Sequence, residues 1–240
     1  MQATFGAADA QVRRDHLLSH VIAAVAHADG EWVLYGGTGL ARTYLPSFRL
    51  SEDLDLLAHP RRTAVAELER VVVRRLRREF GTVQWQPPLS AAPENAPVVL
   101  RTDEGSAVRI QVGELDADRR RWPTEVRDVV LRYSDVEPAQ LAVPTIPAFV
   151  AMKTAAWGDR HAARDLADLA ALASLGAVGP EAVSVLRSAT GRTVYGYLFN
   201  RLPERTRATW STQLAHQMQE LPDPEECLDT VRRAFERAAA

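Results

Sequence analysis

The sequence predicts an α+β fold: an N-terminal mixed sheet with flanking helices, then a wholly helical C-terminal domain. Three observations predict it. Short apolar strands alternate with helix-period segments up to about residue 140. Prolines at 138, 144 and 147 then break the pattern. Beyond them the chain is alanine-rich, with apolar residues at helical spacing. The expected division is a domain over 1–140 and a helical domain over 141–240.

The elements follow in order. Val12, Leu17, Leu18, Val21, Ile22 and Val25 recur at helical spacing from Asp9 to His27, and Asp29-Gly30 stops that helix. Glu31 to Tyr35 reads as a short buried strand, broken by Gly36-Gly37-Thr38-Gly39. Leu40 to Leu45 then reads as a helix halted by Pro46. A second strand is expected from Asp53 to Leu57, and a long helix from Arg61 to Phe80. Thr82 to Trp85, Val98 to Thr102, Val108 to Val112 and Val126 to Leu131 read as further strands, and the three prolines as a linker. Helices are expected at Pro147–Trp157, Ala162–Leu175, Pro180–Ala189 and Asp223–Ala239.

Composition narrows the class. With 46% hydrophobic and 25% charged residues and a net charge of -2, the chain reads as globular. No apolar run is long enough to cross a bilayer, and no basic segment precedes an apolar one, so no membrane span, no export signal and a cytoplasmic location are expected. The single cysteine, Cys227, excludes an internal disulfide framework and any cysteine-cluster zinc site. His161, His20 and His59 show no metal-ligand spacing and read as ordinary. The cations are uneven: 28 arginines against one lysine, Lys153. A compact, rotatable ammonium kept at one place in an arginine-biased chain marks that place for attention.

The densest constellation runs from Tyr35 to Leu57. Asp53 and Asp55, two apart on a strand, point the same way, while Leu54 and Leu56 point into the core. Two adjacent carboxylates need compensating charge. Magnesium supplies it, taking one or two protein carboxylates and completing its shell with water and substrate phosphates. Gly36, Gly37 and Thr38 at a helix start offer backbone amides to a phosphate. Either feature alone reads better as a turn or an edge strand; together, in this order, they favour a nucleotide and metal site.

Gly36-Gly37-Thr38-x-Leu40 followed by Arg49, Ser51, Asp53, Leu54, Asp55 and Leu56 resembles the signature of the nucleotidyltransferase superfamily, in particular the AbiEii/AbiGii toxin family that includes the MenT toxins. The downstream motif of that family, a helix with a lysine and an arginine, then Arg-Asp and a further Asp, matches Lys153, Arg160, Arg164-Asp165 and Asp168. The resemblance implies the nucleotidyltransferase fold, with Asp53 and Asp55 as metal ligands and Gly36, Gly37, Thr38, Arg49, Ser51, Lys153 and Arg160 around the nucleotide. Asp53, Asp55, Lys153, Asp165 and Asp168 are then the catalytic set. Lys153 and Arg160, seven apart, share a helical face, as do Asp165 and Asp168; one acid is expected to orient a cation, the other to act near the metal or as a base. A salt-bridged helix surface is the plain alternative for Arg164, Asp165 and Asp168, and for Asp168 alone it accounts about as well.

One position departs from the pattern. Gln111 stands on a strand where the superfamily often places a third carboxylate. Either Glu114 or Asp116 takes over, or Asp165 or Asp168 does, or catalysis proceeds with less charge compensation; an inactive descendant is the remaining reading. Arg119-Arg120-Arg121 beside Trp122, and the arginines at 70, 74, 75, 77 and 78, could meet a polyanion, the triplet being the better RNA candidate.

The expected function is transfer of a nucleoside monophosphate from a nucleoside triphosphate to RNA, with the tRNA 3' end as the acceptor the resemblance implies. That makes a translation-blocking toxin of a type IV toxin–antitoxin pair, with Mg2+ as cofactor and a cognate antitoxin as partner. The alternatives are a small-molecule nucleotidyltransferase of the aminoglycoside-modifying kind and a non-catalytic nucleotide-binding module.

Overall fold

A computed structural model describes residues 8–194 and 196–239. It divides into two compact units. The first takes the chain up to Arg120 together with Thr124–Val143; the second takes Arg121–Pro123 and the chain from Pro144 onward.

In the first unit the order is α1 (Asp9–Ala26), β1 (Glu31–Tyr35), α2 (Gly36–Thr43), β2 (Asp53–His59), α3 (Arg61–Phe80), β3 (Val83–Gln86), β4 (Val98–Thr102), β5 (Ala107–Glu114), β6 (Thr124–Val129) and β7 (Ala139–Pro144). The seven strands form one mixed sheet in the order β3-β4-β5-β2-β1-β7-β6, with β2 parallel to β5 and antiparallel to β1. An α+β architecture is therefore what the chain adopts. Alternation along β2 and β5 buries Leu54, Leu56, Ile110 and Val112, on the face that α1 and α3 pack with Leu17, Leu18, Val21, Ile22, Leu68 and Val72. The opposite face carries Asp53 and Asp55 and, further along, a small apolar cluster of Val33, Leu57 and Leu115.

Two elements depart from the expectation. β7 lies inside the segment read as a linker and runs parallel to β1 with Val33 opposite Ala142. Its prolines sit just before its start and at its last residue, where a ladder tolerates a missing N–H. α2 begins at Gly36 rather than Leu40, because the glycines open the helix instead of breaking the chain.

The second unit holds α4 (Ile146–Arg160), α5 (Ala163–Ser174), α6 (Pro180–Thr190), α7 (Glu204–Leu214) and α8 (Pro224–Ala239). Thr145 caps α4, its hydroxyl accepting from the Ala148 amide, with proline in the first turn. Stacking of Trp157 on Phe199 and of Phe199 on Phe235, with buried Leu166, Leu169, Leu172 and Val231, forms its core. α7, not expected from the sequence, packs on α5 through Thr206, Trp210 and Leu214. Among the described residues no helix is long and apolar enough to cross a membrane.

Candidate active site

In the first unit the start of α2 is pressed against β2. Gly36 has φ +68°, a left-handed conformation, and a Cβ there would lie 3.0 Å from Asp55 Cγ and drive into its carboxylate. A Cβ on Gly37 would meet Arg49 Nη2 at 2.8 Å and Ser51 Oγ at 3.1 Å. The two glycines are thus required by close approach of three side chains. The amides of the first turn have no partner within the helix.

Beneath this turn the side chains are fixed. Arg49 is buried, with Nη1 donating to the Leu50 carbonyl at 3.0 Å. The Thr38 hydroxyl, fully buried, lies 2.9 Å from Ser51 Oγ and donates to the Asp53 carbonyl. Thr38 and Ser51 therefore tie the helix start to the loop and strand. Ser51 stands outside β2, which begins at Asp53, so its position comes from this tie and not from strand alternation.

Across the sheet Tyr35, Asp55 and Gln111 fall in one row, and Asp53 pairs in register with Arg109. Gln111 is thus the direct neighbour of Asp55, and its amide donates to the Asn95 carbonyl at 3.3 Å. Arg109 Nε lies 3.3 Å from Asp53 Oδ1. The two nearby acids that the sequence offers as substitutes for a carboxylate at 111 both have partners within the fold. Glu114, in register with Ala58, accepts from His59 and the Arg61 amide. Asp116 accepts from the Arg119 amide at 2.8 Å. Burial and the neighbouring Asp55 push the Tyr35 phenol up to about 12, so at the edge of this row it stays neutral and can only hydrogen-bond.

In the second unit α4 and α5 bring four charges together. Lys153 Nζ lies 3.2 Å from Asp165 Oδ1 and 2.7 Å from Asp168 Oδ2. Arg160 forks onto the same Asp165, with Nε 2.7 Å from Oδ2 and Nη2 2.9 Å from Oδ1. Both acids are buried, whereas the Arg160 side chain is 63% exposed. The sequence left open which acid orients a cation. Asp165 holds both cations and Asp168 holds the lysine.

Two members of the arginine triplet are ion-paired within the fold. Arg120 makes a bidentate pair with Glu31, both contacts 2.7 Å, and Arg119 binds Glu94, Asp116 and the Glu114 carbonyl. Arg119 and Arg120 are therefore neutralised within the fold, through partners distant in sequence. His20, read as ordinary, instead converges with His16 and Asp135. The His–x3–His spacing on one helix was the available signal; Asp135 was hidden by sequence distance.

With this geometry in view, comparison with known proteins places the chain. The model of the AbiEii family, the nucleotidyl transferase AbiEii toxins of type IV toxin–antitoxin systems, matches residues 16–240. The chain belongs to that family, and so to the nucleotidyltransferase toxins, with a nucleotide as substrate and an antitoxin as partner. Comparison with curated proteins returns no match. Among solved structures it is similar to MenT4, a nucleotidyltransferase toxin from Mycobacterium tuberculosis H37Rv, at 18% identity and a TM-score of 0.66, over 96% of this chain and 84% of that one. It is also similar to JHP933 from Helicobacter pylori, at 17% identity and a TM-score of 0.64, over 97% and 93% of the two chains. At these identities the likeness speaks for the fold.

Proposed function

We propose that the protein transfers a nucleoside monophosphate from a nucleoside triphosphate to an RNA hydroxyl, with the tRNA 3' end as acceptor and blocked translation as the result in the cytoplasm. The observation that carries this reading is the approach of the Gly36-Gly37 helix start to Asp55, with Arg49 and Ser51 packed under it. It joins phosphate-binding amides to a carboxylate pair within one rigid unit.

The donors on β2 are hard carboxylate oxygens on one sheet face, which fits Mg2+ held by one or two protein ligands. Mg2+ bound by Asp53 and Asp55 would neutralise charge on the α phosphate and favour the attacking oxygen as an alkoxide. In the reaction the acceptor oxygen bonds to the α phosphorus, the bond to the β-bridging oxygen breaks, pyrophosphate leaves and the hydroxyl proton passes to water. The Gly36 and Gly37 amides would bind phosphate oxygens, with Thr38, Arg49 and Ser51 holding the turn in place. For the helical unit we assign Arg160 to direct phosphate contact, because its guanidinium is exposed. Lys153 supplies the second cation, with Asp165 and Asp168 positioning both.

The outer face of α3, on the side of the sheet away from Asp53 and Asp55, carries an open groove of about 640 Å³ lined by Glu69, Arg70, Val73, Arg74, Arg77 and Trp85; its cations and aromatic ring suit the body of an RNA acceptor rather than its reacting end.

The test incubates the protein with Mg2+ and each α-labelled nucleoside triphosphate, in one arm with total tRNA and in a parallel arm with an aminoglycoside, beside Asp53→Ala and Lys153→Ala. Label on RNA with the wild type alone is the expected result. Label on an aminoglycoside instead would move the reading to a small-molecule enzyme. Triphosphate binding without transfer to either would leave a binding module, with Gln111 as the reason.

A further inference from the structure

A second constellation lies in the first unit, on residues the proposed transfer does not use. His16 and His20 stand one turn apart on α1, and Asp135 comes from the connection between β6 and β7. Their donor atoms form a tight triangle: His16 Nε2 to Asp135 Oδ2 is 2.7 Å, His16 Nε2 to His20 Nε2 is 3.1 Å, and His20 Nε2 to Asp135 Oδ2 is 3.3 Å. Protons satisfy such a triangle badly. The nitrogen–nitrogen contact requires one ring nitrogen to be bare, while the two nitrogen–oxygen contacts require both to carry hydrogen. A single cation at the centre satisfies all three edges at once.

The triangle also has the right size and stiffness. Metal–ligand distances of about 2.0–2.2 Å in a tetrahedral zinc site place neighbouring donors roughly 3.3 Å apart. α1 is anchored by fully buried Leu17, Leu18, Val21 and Ile22. The Asp135 segment is pinned to it and to α2: the Tyr133 hydroxyl donates to the Val12 carbonyl at 3.0 Å, and Arg132 reaches Asp15 at 3.1 Å and the Ala41 and Pro46 carbonyls. Phe80 and Tyr133 wall the His16 ring at 5.4 and 4.6 Å, and Phe80 meets His20 at 5.2 Å, fixing both imidazoles. On the open side, a cavity of about 420 Å³, lined by His20 and Asp135 together with Glu79, Glu137, Arg75 and Arg78, leaves room for water as a fourth ligand.

We propose that His16, His20 and Asp135 bind a late first-row divalent cation of the Zn2+ class, distinct in donor chemistry from the carboxylate pair on β2. Two imidazoles and one carboxylate select such a cation over Mg2+, which prefers oxygen alone. Bound there, the ion cross-links α1 to the β6–β7 connection and stabilises the first unit.

The experiment uses the full chain, stripped with a chelator and dialysed. Zn2+ is titrated in competition with a chromophoric chelator in millimolar Mg2+, Co2+ is added separately to read its visible absorption, and thermal melting is followed with and without Zn2+. The expected result is one bound Zn2+, an intense Co2+ band of a four-coordinate site and a raised melting midpoint. His16→Ala/His20→Ala and Asp135→Asn should each weaken binding about 100-fold or more and abolish the midpoint shift. Asp135 is partly exposed, so its amide variant tests the site even where the double histidine variant folds poorly. Asp53→Asn/Asp55→Asn should bind Zn2+ as the wild type does. Wild-type affinity no greater than that of Asp135→Asn, or a Co2+ band surviving in that variant, overturns the proposal.

Discussion

The carboxylates of β2 and those of α5 are built on opposite plans. Asp53 is about a third exposed on an open sheet face with Arg109 beside it, while Asp165 and Asp168 are buried against Lys153 and Arg160. Acids left near water in a constrained row can accept a cation from solution. Acids enclosed with two cations have already found theirs, and their work is to fix where those cations stand. Residue type does not distinguish the two plans; the surroundings do.

That contrast breaks in measurable ways. The largest effect is expected from Asp53→Ala or Asp55→Ala: transfer should fall by about 10³-fold or more, with stability changing by no more than about 0.5 kcal/mol. A melting point that drops with activity would make β2 a structural pair like α5. Next is Asp165→Ala, which removes the partner of Arg160 and one of the two partners of buried Lys153 and should destabilise the fold by about 1–3 kcal/mol. Chemical denaturation reads this, and an unchanged midpoint would mean the acid is not structural. Gly36→Ala comes third. It forces a Cβ into the Asp55 carboxylate at a left-handed position, and should lower transfer about 10²-fold through misplacement of that acid; activity within a factor of a few of wild type would show that the close approach is dispensable. The smallest effect is Arg109→Gln. An exposed pair of this kind contributes under about 1 kcal/mol, so stability should hold while the half-saturating Mg2+ concentration falls. A rise instead would make Arg109 a partner of the nucleotide rather than a competitor of the metal.

The sequence made the central row legible because its signals are local: a period of two from Asp53 to Asp55, glycines at a helix start, and a lone lysine on an apolar helix. What escaped depended on distance along the chain. β7 was hidden because prolines flank it, and a proline is read from sequence as a breaker although at a strand boundary it costs the ladder little. The pairing of Arg119 with Glu94 and of Arg120 with Glu31 spans 25 and 89 residues, so no local signal announced it. The choice between Asp165 and Asp168 was undecidable from spacing, since both lie on the α5 face that meets α4. Only the fork of Arg160 onto Asp165 separates them.

Lys153 also makes the molecule convenient to watch. Because the chain has one lysine, selective 15N labelling of lysine side chains yields a single ammonium resonance. That ammonium sits between two aspartates, where slowed proton exchange keeps its signal visible. The protein thus carries an intrinsic spectroscopic probe at the cluster of Lys153, Asp165 and Asp168, reporting in solution, without any engineered tag, whether a triphosphate loosens it.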